Sequence, residues 1–151
     1  MRPNLHHGFT LVELVVVIAI LAILAAVAAP RFFTLQTEAR KAALNGLRTA
    51  VSSAATMANA LQSAQGLSAN SSITVEGNSV VMLNGWPNTV GGTGLARVIR
   101  FDSAAFETAG AASPMTFQVR SAPTPATCSF TYTNAAATVP AIVSTPATGG
   151  C

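Results

Sequence analysis

The chain has 151 residues, half of them hydrophobic and only 9% charged, with a net charge of +3 and two cysteines. That length allows one small soluble domain at most. The basic excess is too thin for a nucleic-acid binder, which needs a dense cationic face.

Residues 1–8 read MRPNLHHG and carry one Arg and a His pair. The stretch from Phe9 to Ala29, FTLVELVVVIAILAILAAVAA, is 21 residues long with a single charge, Glu13. As a helix at ~1.5 Å per residue it covers roughly 30 Å, one bilayer core. Leu, Ile, Val and Ala surround every face, so it belongs in lipid or inside a packed bundle. Glu13 is the anomaly. An intramembrane carboxylate is costly and is a functional candidate by default. It needs a cation, and the run has none in its side chains. Cutting the chain before Phe9 would create one, an α-amine at the helix start. Two plainer readings stay open: Glu13 rests at headgroup depth, or the run is a secretory signal cleaved near Ala26-Val27-Ala28. Against the second, such apolar regions run ~7–15 residues.

The segment Gly8-Phe9-Thr10-Leu11-Val12-Glu13-Leu14, followed by an apolar run and Pro30, resembles the processing site of type IV pilins and type II secretion pseudopilins. The resemblance covers residues 1 to about 65 and implies the following. Residues 1–8 are a leader. A membrane peptidase cuts between Gly8 and Phe9 and N-methylates Phe9. Residues 9–29 hold the precursor in the inner membrane and later line the filament core. Glu13 sets register by pairing with the Phe9 amine of a neighbouring subunit. Pro30 kinks one long helix. The partners implied are copies of the same chain, the prepilin peptidase/methyltransferase and the pilus assembly machinery. The destination is an extracellular surface filament serving adhesion, attachment or motility. His6-His7 stand where family leaders carry Lys or Arg, and many pilins have Gly where Ala22 stands.

Cations concentrate just after the run. Residues 31–66 hold Arg31, Arg40, Lys41 and Arg48 against Glu38, whereas residues 67–151 are balanced. The expected role of these cations is a solvated flank beside anionic headgroups. Counted alone, they favour a cytoplasmic stem, while the resemblance places it outside.

From Arg31 to Gln65 a helical period returns. It places Leu47, Ala50, Val51, Ala54, Met57, Ala58 and Leu61 on one apolar stripe, expected to pack on the chain's own sheet. Phe32 and Phe33, at the upstream end, are expected to face neighbouring subunits. Gly66 is the expected helix stop. Residues 30–66 are thus an amphipathic stem, and 67–151 a β head.

Within the head, Ile73–Glu76 and Val80–Leu83 alternate around the turn Gly77-Asn78 and predict a hairpin. Asn84-Gly85-Trp86-Pro87 is the next turn. Trp86 is expected to pack over a sheet edge, with carbohydrate stacking as the weaker option. A turn of this kind after such a strand resembles the mannose-sensitive haemagglutinin class of type IV pilins. Gly91-Gly92-Thr93-Gly94 lacks the Lys of a phosphate loop and leads into a short helix over Leu95, Val98 and Ile99. Strands are predicted at Met115–Val119 and Cys128–Tyr132, and an edge strand at Ala141–Ser144.

Cys128 and Cys151 are 23 positions apart. A disulfide between them would contribute ~3 kcal/mol in the chain-entropy model and fasten the Thr/Ala-rich tail. The pilin resemblance implies that pairing, while many major pseudopilins lack it, which tilts the choice toward a pilin. No His lies outside residues 1–8, and Glu76, Asp102 and Glu107 are scattered. No metal site, cofactor or catalytic constellation is expected. The fold class expected is α+β: a long N-terminal helix packed on a C-terminal antiparallel sheet. Three alternatives to the pilus subunit remain: a type II secretion pseudopilin, a soluble binding domain released by signal peptidase, and a monomeric membrane-anchored receptor head.

Overall fold

The structure is a computed structural model that describes residues 9–110 and 112–151. The expected leader, with Gly8 and the His6-His7 pair, lies outside the described residues. The chain divides into two compact units, Met1–Thr37 and Glu38–Cys151. Helix α1 (Leu11–Ala64) contributes to both, with Pro30 inside it.

In the first unit the apolar run is helical from Leu11 onward and its side chains are exposed all round. It is long and apolar enough to cross a membrane, and none of that stretch is buried. No Gly interrupts residues 9–45. Leu and Ala favour helix intrinsically, so the backbone needs no further device here. The side chains do need cover, which only lipid or other protein can supply.

In the second unit α1 buries Leu44, Leu47, Val51, Ala55, Ala58 and Gln62. The buried stripe is therefore rotated from the expected one. Ala50 and Met57 are exposed, Met57 by 72%, and Ala54 and Leu61 are half-buried. Gln62 marks the difference, since its burial rests on hydrogen bonds and not on hydrophobicity. Its Nε2 donates to the carbonyls of Ser68 and Ser71, both at 2.9 Å. The helix then stops at Gly66 in the left-handed region, φ +64°. The Gly66 N–H bonds the Ser63 carbonyl and the Leu67 N–H bonds that of Gln62, the two bonds of a Schellman stop.

Among the described residues, eight strands and one further helix follow. Strands β1 (Ile73–Val75) and β2 (Asn78–Val80) form one hairpin. β3 (Met82–Leu83) and β4 (Trp86–Pro87) form another. The predicted second strand, Val80–Leu83, is thus divided at Val81, whose N–H bonds the Thr93 carbonyl instead. Helix α2 (Leu95–Val98) follows a single 3₁₀ turn. β5 (Phe106–Ala109), β6 (Met115–Val119), β7 (Ser129–Thr133) and β8 (Ile142–Val143) make a four-stranded antiparallel sheet in that order. β5 is a strand that the sequence pattern does not predict.

The core lies between the buried face of α1 and this sheet. Leu44, Leu47, Val51 and Ala55 cluster with Leu95, Met115, Phe117, Phe130 and Tyr132. Phe117 stacks on Phe130 at 5.1 Å, and Phe101 meets Phe117 edge-on at 5.9 Å. Trp86 is half-buried against the same cluster. A smaller cluster, Ala58, Ile73, Val80 and Met82, lies under the first hairpin. The fold is the α+β arrangement expected, a long helix with an antiparallel sheet region.

Candidate functional site: the helix start and the fastened tail

Thr10-Leu11-Val12-Glu13 has the Thr-x-x-Glu spacing of a capping box. The Thr10 carbonyl accepts from the Leu14 N–H at 3.2 Å, which makes Thr10 the cap. Its hydroxyl accepts from the Glu13 N–H at 3.3 Å. In return Glu13 Oε2 accepts from the Thr10 N–H at 3.0 Å and from the Thr10 hydroxyl at 2.9 Å. The positive end of the helix dipole adds to this. Glu13 thus finds partners inside the run, although none of them is a cation. The box is legible in the sequence from its spacing alone. A search for a counter-charge misses it, because the donors are a neutral amide and a hydroxyl.

The geometry leaves Oε1 with no hydrogen bond among the described residues, on an exposed side chain. The box holds the carboxylate in a fixed orientation next to Phe9, which is itself exposed. An oriented carboxylate at the start of an apolar helix can accept one external cation. Gly8, the other half of the expected cleavage junction, lies outside the described residues.

The tail of the second unit is held by three different chemistries. Cys128 and Cys151 are joined, with Cα atoms 4.9 Å apart. The Arg48 guanidinium donates to the Ser144 carbonyl at 2.7 Å, and Arg40 donates to the Cys151 carbonyl at 2.9 Å. Ser129 and Ala147 exchange two backbone bonds. The reading of the stem cations as a solvated flank is therefore corrected for these two arginines. Lys41 pairs with Glu38 at 2.9 Å on the surface.

A polar seam joins the β3–β4 hairpin to the sheet. Tyr132 donates its hydroxyl to the Pro87 carbonyl at 2.9 Å, and burial pushes its phenol pKa up. Asn134 accepts from the Thr89 N–H and donates to Asn88. Glu76, Asp102 and Glu107 do not converge. Glu76 pairs with Arg100 and Glu107 with Arg120, all near the surface. Among the described residues no cluster of His, Cys, Asp and Glu could hold a metal ion.

A family described as the prokaryotic N-terminal methylation motif matches residues 3–29. The matched stretch holds Gly8, Phe9, Thr10 and Glu13 and ends one residue before Pro30. Neither curated proteins nor solved structures gave a match. The motif supports the type IV pilin and pseudopilin family, whose members are structural subunits. It implies processing by a prepilin peptidase and handling by a pilus assembly system.

Proposed function

We propose that this chain is the precursor of a type IV pilus subunit, cut after Gly8, N-methylated at Phe9 and polymerised into a surface filament. One observation carries the reading. The part of the matched motif that is described, from Phe9 to Ala29, is helical from Leu11 onward, its apolar side chains are uncovered all round, and its single carboxylate, Glu13, is oriented at the helix start. Before assembly, lipid covers that helix. In the filament, helices of other copies take the place of lipid. An unpaired carboxylate in that setting is expensive, so subunits settle where the amine of a neighbour's Phe9 reaches Glu13.

Two features favour a pilus over a secretion pseudopilus. The disulfide belongs to an oxidising compartment, and a tail closed by a disulfide is the pilin habit. The Asn84-Gly85-Trp86-Pro87 turn adds support for the mannose-sensitive haemagglutinin class. In this reading the precursor waits in the inner membrane and the product lies outside the cell.

The test is the mass of the mature protein together with electron microscopy of sheared surface material. The expected mass starts at Phe9 and carries one extra methyl group, and the sheared material contains long fibres. A start near Ala29 would instead identify a released soluble domain. A correct start without surface fibres would identify the pseudopilin.

A further inference from the structure

Beside the exposed flank of α1 in the second unit runs an apolar groove of about 350 Å³, lined by Ala54, Met57, Ala58, Leu61, Val75 and Val98, with Glu76 at its rim. It is the open side of the smaller core cluster. Leu61, Val75 and Val98 are only half-buried there, and Met57 is 72% exposed. Among the described residues Glu76 is paired only with Arg100, at 3.5 Å, and both are strongly exposed. Such a pair exchanges readily for another cation.

The first unit carries the complementary chemistry. Phe32 and Phe33 are 61% and 67% exposed and directly follow Arg31. They lie beyond Pro30, outside the run that the helices of other copies would cover. Arg31 makes no side-chain hydrogen bond or ion pair among the described residues. An aromatic pair beside a cation thus matches an apolar groove beside a carboxylate.

We infer that the groove receives Phe32 and Phe33 of a second copy, with the Arg31 guanidinium of that copy reaching Glu76. The inference rests on the filament reading above. The contact is heterologous, because the groove and the aromatic pair are different surfaces of one chain. Repeated without closure it generates a helical array rather than a dimer. It gives the aromatic pair a cover once the subunit leaves lipid, and it gives the second cluster its missing wall.

The test uses full-length chain assembled on cells, with a photo-reactive phenylalanine analogue placed at position 32 or 33. Irradiated filaments should yield dimers in which that residue is joined to a peptide containing Met57, Leu61, Val75 or Val98 of another copy. Filaments whose cross-links reach only residues 9–35 of a neighbour, lipid or a foreign protein would overturn the groove and leave the filament reading standing. A wild-type chain that forms no filaments overturns both. Should the analogue itself block assembly, a pair of substitutions decides. Met57→Glu puts a charge where the aromatic pair would sit, and it should cut sheared filament yield at least about tenfold while processed subunit stays in the membrane. Thr56→Glu, exposed but outside the groove, should leave the yield within about twofold, as surface changes usually do. Equal yields from both variants would sink the proposal.

Discussion

Through Oε2, Glu13 closes the capping box with Thr10, and its other oxygen makes no hydrogen bond among the described residues. Under the filament reading, Glu13→Ala removes both the cap and the register contact but leaves the apolar run untouched. The expected result is a processed, membrane-held protein that polymerises poorly, measured as sheared filament against membrane-retained subunit. Normal filaments from this variant would refute the pairing role. Thr89 presents the opposite case. Its side chain is 1% exposed and its hydroxyl has no hydrogen-bond partner among the described residues. A buried polar group left unmade costs about 1–3 kcal/mol, and a methyl of the same shape removes that cost. The backbone bond from Thr89 to Asn134 does not involve the hydroxyl. Thr89→Val should therefore stabilise the protein by about 1 kcal/mol, seen as a higher denaturant midpoint with an unchanged slope. A lower midpoint would mean the hydroxyl is satisfied after all.

Among the elements, the end of α1 and the tail depend on single residues. Gln62→Leu keeps the volume but removes the amide donor from the Ser71 carbonyl, and it leaves the Ser68 carbonyl with the Ser71 N–H alone. A loss of about 1–3 kcal/mol is expected in detergent-solubilised protein by urea unfolding. No change would show that water replaces the amide. In the tail, Gly150 is packed so closely that a Cβ would collide with the Thr124 carbonyl and the Thr127 hydroxyl, whereas one at Gly149 meets nothing within 4 Å. Gly150→Ala should misplace Cys151 and leave titratable thiols, while Gly149→Ala should not. Equal thiol counts in the two variants would contradict this. These elements also show what is readable in the sequence. β6 keeps strict alternation, with Met115, Phe117 and Val119 buried, so its period announces it. β5 reads FETA and none of its residues is fully buried, so no alternation marks it. The buried face of α1 departs from the expected one because Ala is small enough for either side and Gln62 is polar. Only the Ser68–Ser71 turn explains that burial, and a helical period carries no trace of it.

For the whole molecule, the division at Thr37 and Glu38 separates two kinds of stability. The first unit has no core of its own among the described residues and depends on lipid or on other copies for cover. The second has two core clusters, a sheet and a disulfide, all formed within Glu38–Cys151. The cations of residues 31–48 fit this division. Arg40, Lys41 and Arg48 all have partners inside the second unit, so their clustering reflects the fold of the head as well as any headgroup contact. The positive-inside count treats them as free flanking charges, which is why it points the opposite way from the pilin reading. A chain of residues 38–151, made in an oxidising compartment, should then be soluble and monomeric. It should melt cooperatively and lose roughly 3 kcal/mol when the disulfide is removed. Gel filtration and thermal melts with and without reductant read this directly. Aggregation would mean that the head relies on the first unit for cover. Fibres formed by residues 38–151 alone would place the polymerising force in the head and remove the apolar helix from its central role.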